Sequence, residues 1–450
     1  MFRILLLSTF LISCSTLSVS NKSTLQNGSP ISIHIDDGLP RQIVTMQLRG
    51  LVNEVARQDQ AFFSVISKVF DMGPKDMTEE VFKNKLFLLN ASISFNASYR
   101  TYDVAIASPP QHLAETLDLA IKTLRNPKLD ASSVNEAISN TKANVQSAFT
   151  SMRTGIMYHS FKDYFQNDPL ALNGTTSPKD VNSVNADKVN SIYKKIFTLQ
   201  QIAAYSVGPL PAAAVKNSID QAFARYQIPS YQPYEYKAFV AKPKAKVQVI
   251  HRPKVTDHQV LFLFNHKFDL DGREIVVAQT LFEYFGGGLT GRLGMTLREQ
   301  RGLTYHASSN YGRYLPSWYI YSFAGSKQLE PLLKGVIEVK NASAMAKVTS
   351  IELANIKSTL AADFKQSYEL PMDDLGLEAY ADLFDLDVKA IRRFPASVVT
   401  VSESELEAYK SKLLSNNDYS LYIMGDKTVI LPILKSLGYA NVEVINEVDL

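Results

Sequence analysis

The residues of this 450-residue chain with most to offer a reaction are seven histidines, a single cysteine and a crowd of tyrosines. No two histidines stand in an H-x-x-E-H or H-E-x-x-H pattern. Those patterns set two imidazoles one helical turn apart on a zinc ion, with a glutamate beside the metal-bound water. The nearest group is His251, His258 and His266, spaced by seven and eight residues. On strands an odd and an even spacing turn to different faces, so these read as strand-end and surface histidines. Arg298 and Tyr305 lie seven apart. A guanidinium can donate in a fixed fork to a carbonyl or carboxylate, and a phenol can donate to an oxyanion. By spacing alone they read as a solvated helix residue and a packed sheet residue. Gly286-Gly287-Gly288 is not followed by Lys-Ser/Thr and comes after a helical pattern, so it reads as a helix stop and not a phosphate loop.

The composition is that of an ordinary globular protein, 46% hydrophobic and 20% charged, with 47 Lys+Arg against 44 Asp+Glu. That excludes disordered, collagenous and coiled-coil classes. A net charge of +3 gives no basis for a nucleic-acid partner. A lone cysteine can build neither an intrachain disulfide nor a cysteine-based metal cluster. Arg3 precedes an apolar run, Ile4 to Ile12, which is too short to span a bilayer and reads as an export signal. It ends in Leu11-Ile12-Ser13-Cys14, which resembles a bacterial lipobox. The expectation is a signal peptide over 1–13, acylation at Cys14 and a polar tether over 14–30. The protein would then be exported and lipid-anchored, on the outer membrane facing the periplasm of a Gram-negative cell.

The elements that must position any chemistry recur. An amphipathic helix over 54–71 carries Phe62, Ile66, Val69 and Phe70 on one face and stops at Gly73-Pro74. A strand with Ile93, Phe95 and Ala97 on one side, a second over 102–107, helices, and a strand over 202–207 ending at Gly208 follow. The second half repeats the order. A helix runs to Gly286, strands cover 305–311 and 317–323, helices follow, and a strand over 419–424 ends at Gly425. The paired glycines are offset by 213 and 217 residues. Like elements at near-constant spacing predict two copies of one α+β fold, over 31–226 and 246–450, joined by a proline-bearing connector over 227–245.

Phe285-Gly-Gly-Gly-Leu-Thr-Gly-Arg-Leu293, followed by Leu297-Arg298-Glu299-Gln300-Arg301-Gly302-Leu303-Thr304-Tyr305, resembles the C-terminal half of the M16 metallopeptidases, the pitrilysin and insulinase family. The first half resembles the family through the junction at Gly73 and through Asn90-Ala91-Ser92. The resemblance implies two tandem homologous domains of the LuxS/metallopeptidase-like type, each a mainly antiparallel sheet packed with helices.

Active members carry H-x-x-E-H on the first helix, with a distal glutamate as third ligand. Counting back from Gly73, the family pattern places the first histidine at Ser64, the glutamate at Ser67 and the second histidine at Lys68, with the distal carboxylate near Asn144. A hydroxyl is a poor zinc ligand, and Ser67 is no base near neutral pH. The Lys68 ammonium repels a dication. No metal is expected in this chain. Arg298 and Tyr305 match the pair that related peptidases direct at the substrate on zinc. Some bacterial members divide these parts between two chains, and this sequence resembles the one with the Arg/Tyr pair. The implied role is a non-catalytic subunit of a heterodimeric zinc peptidase, with the zinc held by a homologous partner and a peptide or unfolded polypeptide as substrate. The alternative is a membrane-anchored peptide-binding or scaffold lipoprotein, self-associating or alone, with no proteolytic role.

Overall fold

The computed structural model describes residues 21–98, 100–166, 176–236, 245–288, 290–312 and 315–447. The signal segment and Cys14 lie outside them.

Two six-stranded sheets organise the chain. The first contains β1 (Asn21–Thr24), β2 (Pro30–Ile35), β3 (Gln42–Arg49), β4 (Ser92–Ala97), β5 (Thr101–Ser108) and β6 (Ile202–Gly208), in the order β1-β2-β6-β3-β5-β4. The second contains β7 (Val247–His251), β8 (Asp257–Asn265), β9 (Ala307–Tyr311), β10 (Ser317–Gly325), β11 (Tyr419–Gly425) and β12 (Val442–Asn446), in the order β12-β7-β11-β8-β10-β9. Five strands correspond one to one, and only the outermost differs. β1 pairs antiparallel with β2 from the N-terminal side, whereas β12 pairs parallel with β7 from the C-terminal side. The two-copy α+β reading therefore holds.

Each sheet buries one face under helices of its own half. Val44, Met46, Tyr102, Val104 and Ile106 alternate inward against Phe62, Phe63, Ile66 and Phe70 of the Ala61–Asp71 helix. That helix is shorter than the periodicity suggested, because Gln60 donates to the carbonyls of Val52 and Val55 and turns the chain before it. It ends at Gly73, whose φ of 80° suits a residue without Cβ; a Cβ would also lie 2.4 Å from Phe82. Phe264 and Trp318 stack at 3.8 Å in the core of the second half.

The outer face of each sheet is covered by a helix lent by the other half. From the Met152–Tyr164 helix and the turn after it, Ile156, Tyr164 and Phe165 pack on Leu261, Leu263, Tyr321 and Tyr422 of the second sheet. In return, Leu375 and Ala379 of the Pro371–Phe384 helix pack on Ala203, Tyr205 and Val207 of the first. The halves thus interlock, and neither completes its packing alone.

Two expectations need correction. Residues 21–30 are no free tether. Leu25 is buried, the Gln26 amide donates to Asp220 at 2.7 Å, and β1 hydrogen-bonds along β2. The polar residues of β1 hid it, since backbone pairing at an exposed edge needs no apolar alternation. By sequence alone, Asp373-Asp374 and the charged segment 382–387 read as solvated helix ends. Instead Asp374 is buried and ion-paired, and Asp382 reaches Lys22 and Tyr205 in the first half. Among the described residues, no helix is long and apolar enough to cross a membrane.

Candidate functional site

The four positions counted out for a metal centre converge. Ser64, Ser67, Lys68 and Asn144 line one cavity of about 470 Å³, with Asp71 from the same helix and Ser94 to Ala97 of β4. Helical spacing of three and four residues puts Ser64, Ser67 and Lys68 on one face of the Ala61–Asp71 helix. Asn144 arrives on the adjoining Ala131–Ala148 helix, where Thr141 donates to the Ser64 carbonyl at 3.4 Å.

The chemistry there is that of a binding surface. The Ser67 hydroxyl donates to the Phe63 carbonyl at 2.8 Å and lies 2.8 Å from the Tyr102 hydroxyl. Tyr102 is fully buried, and burial holds its phenol well above its ordinary pKa, so it remains neutral and serves as a donor. The Lys68 ammonium pairs with Asp71 at 3.0 Å, so the one carboxylate lining the cavity is already engaged. Among the described residues, no histidine lines it. A zinc ion does not fit this donor set of two hydroxyls, an amide and a lysine–aspartate pair. β4, at the edge of its sheet, borders the cavity, and Ser92, Ser94 and Asn96 are exposed along it.

The residues with ligand-type side chains that do cluster lie elsewhere. His34 on β2 stands 3.8 and 3.6 Å from Asp374 and Glu378 of the Pro371–Phe384 helix, all three buried. Arg392 donates to both Asp374 oxygens, at 2.8 and 2.6 Å, and to Glu378 at 2.6 Å. With a guanidinium seated on both carboxylates, the cluster is a buried ion-pair network of the second half against which His34 of the first half packs, not a metal centre.

Arg298 lies on a wide, π-helical turn, Gly294–Gln300, and Tyr305 lies just before β9. The turn brings them together, with the Arg298 guanidinium carbon 4.7 Å above the Tyr305 ring and its Nε 3.2 Å from Glu299. Tyr305 is 73% exposed, so it is not the packed sheet residue that spacing alone suggested. Trp318 and Tyr321, nearby in sequence, are buried. The glycine run stops a helix, Arg273–Gly286, and a Cβ on Gly286 would lie 2.3 Å from the Ser309 amide of β9. His251, His258 and His266 find separate partners: the backbone at Gly425 and Lys427, Ser326, and Glu274.

Comparison with known proteins follows this geometry. Residues 183–360 match the family model described as the peptidase M16 inactive domain. A Helicobacter pylori (strain ATCC 700392 / 26695) protein named non-peptidase homolog YmxG is 21% identical over 325 residues, 69% of this chain and 72% of that protein. The crystal structure of a peptidase M16 inactive domain from Pseudomonas fluorescens superposes with a TM-score of 0.77 at 16% identity, covering 91% of this chain and 98% of that one. The ferredoxin protease FusC, solved in complex with Arabidopsis ferredoxin, superposes with a TM-score of 0.68 at 14% identity, over 90% of this chain and 45% of that one.

Proposed function

We propose that this chain, a member of the peptidase M16 family, is the non-catalytic subunit of a two-chain zinc peptidase. It closes a chamber over peptides or unfolded polypeptide and directs Arg298 and Tyr305 at a substrate held on the partner's zinc. Supporting this reading is one asymmetry. The cavity at the metal positions offers Ser64, Ser67, Lys68 and Asn144, while Arg298 and Tyr305 stand stacked with the phenol exposed. A relative that is itself a non-peptidase homologue, and a fold neighbour that engages a protein substrate, are consistent with it. Acylation at Cys14 would tether the assembly to the outer membrane on its periplasmic side.

A second reading has its own observation. The edge of β4 opens on a cavity within this one chain, and an edge strand can accept an extended peptide by β-addition. A surface-anchored peptide-binding or scaffold lipoprotein, alone or self-associated, would use that edge without any zinc. Purification from the native membrane separates the two readings. A zinc-motif homologue should co-purify, and mixing the purified chains should create peptide hydrolysis that neither shows alone. A verified complex with no gain in hydrolysis rejects the peptidase reading, and peptide binding by the single chain then favours the scaffold.

A further inference from the structure

Neither reading gives Arg153 a task. It sits at the start of the Met152–Tyr164 helix, which the first half lends to the second sheet, one residue before Thr154 of the cavity wall. Its guanidinium carbon lies 4.8 Å over the ring of Tyr321, a buried tyrosine whose hydroxyl donates to Gln259 at 2.5 Å. Arg153 is exposed, and among the described residues its guanidinium makes no hydrogen bond or ion pair. Arg298 is presented in the same way over Tyr305, with Glu299 as its ion-pair partner.

His306, the residue after Tyr305, lies with its ring 5.8 Å from that of Tyr321, within electrostatic reach of both arginines. Its Nε2 lies 3.0 Å from Ser308 Oγ, and Ser308 faces Tyr321 across the β9–β10 ladder. Burial lowers the His306 pKa first, and Arg153 and Arg298 lower it further, with no carboxylate acting against them. Arg153 over Tyr321 and Arg298 over Tyr305 thus flank the His306 ring, and Glu299 is the carboxylate paired with Arg298 there. Stacking on a tyrosine occupies the flat face of a guanidinium and leaves its in-plane N–H donors free for a planar anion.

The geometry points to Arg153 and Arg298 as a two-guanidinium clamp for a carboxylate carried by a polypeptide on the Arg298–Tyr305 face. This rests on the reading that the face engages polypeptide, and it adds a substrate class: segments bearing Asp or Glu, or a free C-terminal carboxylate. Glu299 holds Arg298 in the meantime and would be displaced by the incoming acid.

Fluorescence anisotropy with the mature full chain and three labelled unstructured peptides tests this. The first carries internal Glu and Asp with an amidated C-terminus, the second replaces those acids by Gln and Asn, and the third is the second with a free C-terminal carboxylate. At about 50 mM salt, where surface charges are weakly screened, the first or third peptide should bind about tenfold tighter than the second. Whichever does so identifies the source of the carboxylate. R153Q should abolish that preference and leave the affinity of the second peptide unchanged, R153K should keep part of it, and R298Q should also weaken it. Equal affinities in the wild type, or an intact preference in R153Q, overturn the clamp while leaving peptide binding in place. Failure of all three peptides to bind, to this chain alone and to its complex, removes the underlying reading and the clamp with it. Arg153 is exposed, so loss of fold in R153Q is not expected; a thermal melt beside the titration verifies it.

Discussion

Ser67, the position counted out from Gly73 for a general base, and Tyr102 share a hydrogen bond of 2.8 Å. The bond joins the helix to the sheet behind it, so the position has become part of the packing. Ser67 donates a hydrogen bond to the Phe63 carbonyl and accepts one from the phenol. Truncation should therefore be asymmetric. Y102F leaves Ser67 bonded to Phe63 and should cost about 0.5–1.5 kcal/mol. S67A strands a fully buried phenol and should cost about 1–3 kcal/mol. Urea denaturation of the two variants measures the difference.

The cavity geometry predicts that metal binding can be written back. Because Ser64, Ser67, Lys68 and Asn144 share one wall system, the combination S64H, S67E, K68H and N144E should take up about one zinc per chain, read by metal analysis after dialysis. The wild type should retain none under the same treatment. The gain should come with a lower melting temperature, since S67E removes the partner of Tyr102.

The buried Arg392–Asp374–Glu378 network predicts a large loss. R392A leaves Asp374 and Glu378 buried without their guanidinium and should destabilise by about 3–5 kcal/mol. R392M combined with D374L and E378L, which removes charge from both sides, should recover much of that. Chemical denaturation of the two variants checks the pair.

Asp103 on β5 predicts a pH dependence. Burial raises its carboxyl to about 6, and one of its oxygens has no hydrogen-bond partner. The folded state thus holds a proton that the unfolded chain releases near 4, and stability falls as pH rises from about 4 to 6. His159 works in the opposite sense. Burial lowers it to about 4, so the unfolded chain is the better proton binder up to about 6.5, and stability rises over that window. The two terms offset each other in the wild type. D103N should expose the rise alone and be more stable than the wild type at pH 7 by roughly 3 kcal/mol, with the gap closing toward pH 4. Denaturant midpoints at pH 4, 5, 6 and 7 follow it.

Much of this was legible in the sequence because it rested on periodicity and punctuation. The glycines at 73, 208, 286 and 425 marked the repeat, and the count back from Gly73 found four residues that the fold brings to one cavity. The sequence hid what depends on partners far along the chain. Nothing local tells that Asp374 meets His34 and Arg392, or that the Met152–Tyr164 helix belongs to the other half's sheet. The π-helical turn that lays Arg298 on Tyr305 was equally hidden, since an apolar periodicity does not tell a π turn from an α turn. Lys68–Asp71 was within reach, as opposite charges three apart on a helix face are neighbours.

The most direct measurement of the proposed assembly removes the two groups it directs at the substrate. R298A and Y305F, each combined with the zinc-bearing partner, should form the complex as the wild type does, yet lower kcat by about a hundredfold, the scale of losing one oxyanion donor. If both variants support hydrolysis at the wild-type rate, the pair does not serve the partner's zinc.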